Sequence, residues 1–271
     1  MAANLVFRHT DRTSHHTLRV ASEPKPVVGA DEVLVQIRGV TLNYRDTIVA
    51  NGTYAFPVKE DLIPCSDGAG VVVELGANVE SLQVGDRVVV NFDVNNLTGR
   101  QPGTERESLG GNIDGVLRQF ITLPAQVLTK VPDDCTLSFV QIASLVASGA
   151  TAWNALFGLM PLKAGQTVLF QGTGGVSSIG LQLAKAAGAT TIITSSSDEK
   201  LKFVQDKLGA DHVINYKTQP NWAVEANKIT QGRGVDFILE TGGSETIMQR
   251  IEAITIGGTI APLSGEAGRH A

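Results

Sequence analysis

The chain has 271 residues, of which 42% are hydrophobic and 18% charged, and its formal net charge is −5. This length allows one large or two medium domains with a sizeable core, and the composition is typical of a globular protein. Because the sequence has no basic cluster that could neutralise a run of phosphates, we expect no nucleic acid partner.

The sequence also lacks the marks of membranes and of export. No apolar run approaches the length of a membrane span, and the first residues lack the apolar core of a signal peptide. Two cysteines, Cys65 and Cys135, are too few for a disulfide framework and are far from a C-x-x-C spacing. We therefore expect a cytoplasmic enzyme or binding protein that acts on a small molecule, with no membrane partner.

The first part of the chain is rich in short strands. Runs of apolar and β-branched residues predict strands at 5–7, 17–20, 33–42, 71–74, 84–90, 117–122 and 127–131. The period changes at residues 44–49, which are predicted to form a short helix. Many short strands separated by glycine turns favour a partly open barrel over a doubly wound sheet. The long irregular stretch 93–115 is expected at the rim of a cleft, since such loops are usually functional or mobile.

Residues 137–159 contain helix formers interrupted by Ser148 and Gly149, and a strand, a tight turn and a helix are predicted at 167–190. The turn and the helix start contain Gly172, Gly174, Gly175 and Val176. A helix N-terminus next to glycines, which let a pyrophosphate approach the backbone, is typical of a dinucleotide site. Ser177 stands where the dinucleotide fingerprint has its third glycine, and a glycine-rich stretch is often only a turn. The motif alone therefore leaves both interpretations open.

Strands and helices alternate after this turn. The predicted strands are 190–194, 213–214, 235–239 and 259–263, and the predicted helices are 198–208, 222–230 and 245–255. Such alternation predicts a parallel sheet with helices on both faces, in which ligands bind at the carboxyl ends of the strands. The glycine turn then lies at the end of the first strand of a Rossmann-like domain.

The end of the second strand of this domain predicts the kind of dinucleotide. A preference for NAD usually requires an acidic residue there, whereas a 2′-phosphate requires hydroxyl groups and a cation. The sequence has Thr194 and three serines, 195–197, followed by Lys200, and Asp198 is better placed to charge the start of the next helix. We expect NADPH rather than NADH; the alternative is a polar turn followed by a solvated lysine.

Seven stretches of the chain together resemble the medium-chain dehydrogenase/reductase superfamily, in particular its zinc-independent quinone oxidoreductases and enoyl reductases. They are 42–46, 66–70, 84–88, 149–153, the glycine turn, 208–216 and 257–259. The resemblance implies an α/β protein with a GroES-like partly open β-barrel domain at 1–123 and a Rossmann-like doubly wound parallel sheet at 124–263. It also implies that the usual C-terminal end is lacking. Residues 264–271 have no apolar periodicity and are expected to form a disordered tail. A homodimer is possible, but the usual dimer region is missing, so dimer formation stays open.

The resemblance further implies which residues bind the cofactor. Ser196, Lys200 and Tyr216 match positions that bind the 2′-phosphate, although Tyr216 could equally be a half-buried strand aromatic. Thr151 matches a residue near the nicotinamide. The loop after the fourth Rossmann strand, which passes the nicotinamide ribose in the family, matches Thr241, Gly242 and Gly243.

The catalytic positions differ from those of zinc-dependent members of the superfamily. Where those members have a Cys, a His and a Cys, this chain has Asn43, Ser66 and Ala147, which cannot supply three good zinc ligands, so no metal is expected. A conjugated carbon–carbon double bond is already polarised, so its reduction needs mainly positioning and hydrogen bonds to an enolate oxygen. Asn43 and Tyr54 match positions for such bonds, and Tyr44 is a weaker candidate for the same work or for protonation.

The expected function is therefore an NADPH-dependent, zinc-independent oxidoreductase acting on an activated double bond (an enone or enoyl group) or a quinone. Two alternatives stay open from sequence. One is alcohol dehydrogenase-like activity on a small carbonyl compound or alcohol. The other is a cofactor-binding protein without turnover, which the short C-terminal end motivates.

Overall fold

The computed structural model describes residues 3–97 and 107–263, and the chain divides into two compact units, residues 1–147 and 148–271. The part of the predicted irregular loop at 98–106 and the predicted tail at 264–271 lie outside the described residues. No helix in the described ranges is long and apolar enough to cross a membrane.

The first unit is built mainly from antiparallel strands. Its elements are β1 (Ala3–His9), β2 (Leu18–Pro24), β3 (Glu32–Thr41), α1 (Tyr44–Ala50), β4 (Asp67–Leu75), β5 (Arg87–Val90), β6 (Phe120–Pro124), β7 (Leu128–Lys130) and α2 (Phe139–Ala143). Strands β6-β3-β4-β5-β7 form a five-stranded sheet in that order, and β1 and β2 form a hairpin. Apolar residues of the sheet, among them Val35, Val72, Val88 and Ile121, form the core. This curled antiparallel sheet confirms the predicted GroES-like half-barrel.

The first unit extends further along the chain than the predicted boundary after residue 123. Strand β7 pairs with β5, so that Thr129 lies opposite Val89. Helix α2 packs on β3, where a Cβ at Gly39 would lie 2.6 Å from the carbonyl carbon of Phe139. Helical periodicity at 137–159 predicts helices but not the sheet on which they pack, whereas the compact units group residues 124–147 with the first sheet.

The second unit alternates helices and strands. Its elements are α3 (Ala150–Phe157), β8 (Thr167–Gln171), α4 (Gly175–Ala186), β9 (Thr190–Ser195), α5 (Asp198–Leu208), β10 (His212–Asn215), α6 (Trp222–Ile229), β11 (Val235–Glu240), α7 (Ile247–Ala253) and β12 (Ile254–Pro262). The strands are parallel and follow the order β10-β9-β8-β11-β12. The order reverses direction at β8, which places the end of β8 at the point where ligands bind in such sheets.

Alternation along β8 separates the two faces of this sheet. Val168 and Phe170 pack with α3, α4 and α5, whereas Leu169 packs with α6 and α7. The predicted Rossmann-like sheet with helices on both faces is thus confirmed. The largest difference in bounds is β12, which begins at Ile254, five residues before the predicted start at 259.

Helix α4 packs tightly on the sheet at Gly180. A Cβ there would lie 2.7 Å from Phe170 Cε1 and 3.3 Å from Leu239 Cδ2, and both of these side chains are fully buried. Gly180 therefore serves the close helix–strand packing that the third glycine of the dinucleotide fingerprint provides.

Gly180→Ala is expected to lower the free energy of unfolding of the second unit by about 1–3 kcal/mol, because the added methyl group overpacks the site. An exposed helical Gly→Ala change would instead stabilise by about 1 kcal/mol. Urea denaturation followed by tryptophan fluorescence reports on this unit, which contains both tryptophans, Trp153 and Trp222. Gln182→Ala, at an exposed position of the same helix, is the control. A Gly180→Ala protein as stable as the control would contradict the packing argument.

Candidate functional site

The glycine turn after β8 has the geometry of an anion site. Gly172 has a φ of +76°, which turns the chain away from the strand and suits glycine. Gly174 precedes the first residue of α4 and provides no side-chain cap, and a Cβ built there would meet nothing within 4 Å. The N–H groups of the first turn, including those of Gly175 and Val176, have no acceptor within the helix and lie at the positive end of its dipole. The turn therefore fits the pyrophosphate of a dinucleotide.

Ser177 is part of the structure of this turn. Its side chain is buried, and its hydroxyl donates a hydrogen bond of 3.0 Å to the carbonyl oxygen of Gln171, the last residue of β8. A serine at the third position of the fingerprint is thus tolerated because its hydroxyl has a partner, while the close approach of helix and strand occurs one turn later.

The residues predicted to bind a 2′-phosphate lie at the carboxyl ends of β9 and β10. Ser196 directly follows β9, and the N–H of Tyr216 donates to the carbonyl of Ser195 at 3.1 Å, which joins the two strand ends. Lys200 is exposed in the first turn of α5 and forms no ion pair with a residue in the described ranges. Tyr216 is 42% exposed, so its ring is accessible to a ligand rather than packed in the core.

The acidic residue near these positions is engaged elsewhere. Asp198 accepts a hydrogen bond of 2.6 Å from the amide Nδ2 of Asn215, and Ser197 caps α5 by accepting from the N–H of Lys200 at 3.3 Å. The carboxylate that could have bound a ribose 2′-hydroxyl therefore belongs to the start of the helix.

Thr241, Gly242 and Gly243 form the loop after β11 and lie beside the end of β8. The Thr241 hydroxyl donates to the carbonyl of Gln171 at 2.8 Å, and the Gln171 side chain accepts from the N–H groups of Thr241 and Gly242. Thr151 lies half-buried in α3, a helix that packs against α4 and β11. In the second unit, the predicted glycine turn and the Thr241 loop thus lie next to each other at the ends of β8 and β11, and Thr151 lies on a helix that packs against β11.

The predicted catalytic residues of the first unit lie around the start of α1. Asn43 precedes the helix, and its side-chain Nδ2 is buried without a hydrogen-bond partner among the described residues. Tyr54 is half-buried, and its hydroxyl oxygen accepts a hydrogen bond of 3.2 Å from Arg45 Nε. Tyr44 is 80% exposed, which makes it the weakest of the three candidates.

Arg45 is a residue that sequence reasoning did not single out. Its guanidinium lies 4.7 Å from the centre of the Phe92 ring and 5.2 Å from that of Tyr54, and it donates to the carbonyl of Leu109 at 2.8 Å. These contacts orient Tyr54 and tie α1 to the segment after residue 107. The sequence feature that could have pointed to this role is the presence of an arginine in a short and partly apolar helix.

Two of the positions that match zinc ligands, Ser66 and Ala147, contact a buried carboxylate. Asp67 is 1% exposed and accepts hydrogen bonds from the Ser66 hydroxyl at 2.6 Å and the Ala147 N–H at 3.1 Å. The neighbouring thiol of Cys65 has its pKa raised well above the usual range, first by burial and then by the charges of Asp46 and Asp67. The surroundings of Cys65 therefore favour the neutral form of its thiol.

The surroundings of the Asp46 carboxyl group disfavour its charged form. Burial raises its pKa above the usual value and the nearby Asp67 adds to this, against the opposing hydrogen bond from the Asn43 N–H at 2.7 Å and the charge of Arg45. Its second oxygen, Oδ1, is buried without a partner among the described residues.

Asp46→Asn is expected to become more stable relative to the wild type as the pH rises. Because the folded-state pKa of Asp46 lies above its unfolded value, its contribution to stability is complete below about pH 4 and is lost as the pH rises through the folded pKa. Asparagine keeps the acceptor for the Asn43 N–H and does not ionise. Urea denaturation followed by circular dichroism across the acidic to neutral range measures the difference, and parallel curves for the two proteins would contradict this prediction.

The fold and these residues define a protein with a Rossmann-type nucleotide-binding unit and a GroES-like unit. A family model described as an alcohol dehydrogenase GroES-like domain matches residues 29–133, and one described as zinc-binding dehydrogenase matches residues 175–270. The chain belongs to the medium-chain dehydrogenase/reductase superfamily.

Three similar proteins place it within this superfamily. A zinc-type alcohol dehydrogenase-like protein of Schizosaccharomyces pombe is 46% identical over 85% of this chain and 66% of its own length. A crystal structure described as an alcohol dehydrogenase of Sinorhizobium meliloti 1021 is 36% identical, with a TM-score of 0.89, over 99% of this chain and 81% of its own. A quinone oxidoreductase-like protein 2 homolog of Nematostella vectensis is 29% identical over 96% of this chain and 68% of its own. The chain therefore spans about two thirds of the length of the two curated relatives.

Proposed function

We propose that the protein is a cytoplasmic, NADPH-dependent and zinc-independent oxidoreductase that reduces an activated double bond, in an enone or enoyl group, or a quinone. The observation that carries this proposal is the donor set at the three positions that match zinc ligands by resemblance. These positions hold Asn43, Ser66 and Ala147, and the Ser66 hydroxyl is engaged by Asp67. Both cysteines are free thiols, which suits a reducing compartment.

Residues at the carboxyl ends of the strands of the second unit would hold the cofactor. The first turn of α4 fits the pyrophosphate, and Ser196, Lys200 and Tyr216 fit a 2′-phosphate, a group that needs hydroxyls and a cation. Thr151 and the loop at Thr241 would lie toward the nicotinamide and its ribose. NADPH, when bound, supplies the hydride.

A catalytic zinc does not fit the donors of the first unit. Zinc in such sites is held by three protein ligands among thiolate, imidazole and carboxylate. An amide, a hydroxyl and a methyl group occupy the matching positions, and the Asp67 carboxylate between two of them already accepts two hydrogen bonds. This donor set supports chemistry that needs no Lewis acid.

The residues around α1 suit a substrate that is polarised before it binds. When hydride adds to the β-carbon of an enone, the double-bond electron pair moves toward the carbonyl oxygen, and a proton then adds to the α-carbon. Among the residues that the structure describes, Asn43 Nδ2 has no hydrogen-bond partner, and the Tyr54 hydroxyl accepts from Arg45, which leaves its own O–H to donate. Both can donate to the developing enolate oxygen, which stabilises the charge as an oxyanion hole does.

The test is steady-state NADPH oxidation with a panel of quinones and enones in the presence of a chelator. The proposal expects turnover of at least one of these substrates, unchanged by the chelator, and slower turnover by Tyr54→Phe and Asn43→Ala. Tight NADPH binding without oxidation of any substrate would support a binding protein instead. Alcohol oxidation that the chelator abolishes would support a zinc-dependent alcohol dehydrogenase instead, in line with the name of the Schizosaccharomyces protein, a zinc-type alcohol dehydrogenase-like protein.

A further inference from the structure

The side chain of Gln171, at the end of β8, is buried and joins three parts of the second unit. Its Oε1 accepts hydrogen bonds from the N–H groups of Thr241 and Gly242 at 3.1 and 3.0 Å, and its Nε2 donates to the Thr246 hydroxyl at 3.3 Å. Its main-chain carbonyl accepts from the hydroxyls of Thr241 and Ser177. One residue therefore links the glycine turn to the loop after β11.

A buried ion pair holds the end of the same loop. Glu240 Oε1 accepts from the N–H of Gly243 at 2.5 Å, and Glu240 Oε2 lies 2.8 Å from Arg250 Nη1. Arg250 Nη2 in turn donates to the carbonyl of Gly243 at 3.0 Å. Glu240 and Arg250 are 2% and 7% exposed, so this pair is shielded from solvent.

The hydrogen bonds from the loop to Gln171 and to Glu240 limit which chemical groups the loop can bind. All three N–H groups of Thr241, Gly242 and Gly243 donate to side chains of the protein itself. A loop that binds an anion directs its N–H groups at the ligand, whereas here they are directed inward. The ligand group that faces this loop must therefore bring its own donors, as the hydroxyls of a ribose do, rather than the acceptor oxygens of a phosphate.

We propose that Gln171 is a positioning residue that dedicates the Thr241–Gly243 loop to the hydroxyl groups of a sugar. This inference rests on the proposed function, since the sugar is the nicotinamide ribose of the proposed cofactor. Gln171 acts through the loop: its amide sets the direction of the Thr241 and Gly242 backbone, and the loop then contacts the ligand. Thr241 and Gly242 are exposed at the surface of the unit. Loss of the Gln171 amide is therefore expected to free their N–H groups to bond water, while the hydrophobic core stays buried.

Gln171→Met removes the amide while keeping the length of the side chain. The proposal expects affinity for NADPH to fall about tenfold or more, because two N–H groups lose their fixed acceptor. Affinity for 2′,5′-ADP, which lacks the nicotinamide ribose and is expected at Ser196 and Lys200, stays unchanged. The increase in nicotinamide fluorescence on binding falls as well.

Gln182→Met is the matched control, since Gln182 is an exposed glutamine of the same unit whose amide donates to the Ser178 carbonyl. It should bind both probes as the wild type does. Equal losses of NADPH and 2′,5′-ADP affinity in Gln171→Met would show general damage to the unit and overturn the positioning role. Unchanged NADPH affinity and fluorescence in that variant would overturn it too, with the proposed function left standing. A wild-type protein that does not bind NADPH would overturn the proposed function and this inference together.

Discussion

Gly174→Asp is expected to lower the affinity for NADPH on the order of a hundredfold while leaving the protein folded. The new carboxylate would face the pyrophosphate at the start of α4, and juxtaposed like charges cost several kcal/mol. The fold should tolerate the change, because the backbone at Gly174 is extended, with φ −76° and ψ −179°, and a Cβ meets nothing within 4 Å. Aspartate is also a favoured N-cap residue, so the unfolding free energy should be equal or higher by a few tenths of a kcal/mol. Isothermal titration with NADPH and urea denaturation measure the two effects.

Gly174→Asn is the matched control for charge. Asparagine has nearly the same shape as aspartate and is an equally good N-cap, but it does not repel a phosphate. Its loss of affinity should be much smaller than that of the aspartate variant. If Gly174→Asp bound NADPH as the wild type does, the glycine turn would not be the pyrophosphate site.

Lys200→Ala is expected to lower the affinity for NADPH about tenfold at low ionic strength and to leave the affinity for NADH unchanged. A charged hydrogen bond to a phosphate contributes about 1.5–3 kcal/mol, of which exposure to solvent removes part. The effect should shrink as salt is added, because exposed charges are screened. The ratio of the dissociation constants for the two cofactors, measured at several salt concentrations, is the readout.

Lys202→Ala is the control for this prediction. Lys202 lies on the same helix, α5, and pairs with Asp206 at 2.9 Å, four residues further along. Its removal changes the net charge equally without touching the proposed phosphate site. An equal fall in NADPH affinity for both variants would indicate a general charge effect and contradict a 2′-phosphate site at Lys200.

The units differ in how well local patterns predicted them. Helix α5 runs over Asp198–Leu208 as predicted, because residues typical of helix ends stand at both ends of this stretch. A serine caps its start, and the glycine after its end has a φ of +76°. The boundary of the first unit, by contrast, depends on the pairing of β7 with β5, and no local pattern shows which partner a three-residue strand will choose. Ser177 illustrates the same limit, since its departure from the fingerprint is explained only by the hydrogen bond to Gln171.

Short stretches of the sequence were enough to predict the superfamily, the two kinds of sheet, the glycine turn and the polar positions after the second Rossmann strand. These features depend on residue type and on spacing within one element or one turn, so they are visible in a short stretch of chain. The contacts of Arg45 with Tyr54, of Asp67 with Ala147, and of Gln171 with the Thr241 loop could be found only in the folded chain. The last two join residues 80 and 70 positions apart, and only the folded chain brings such groups within hydrogen-bond distance.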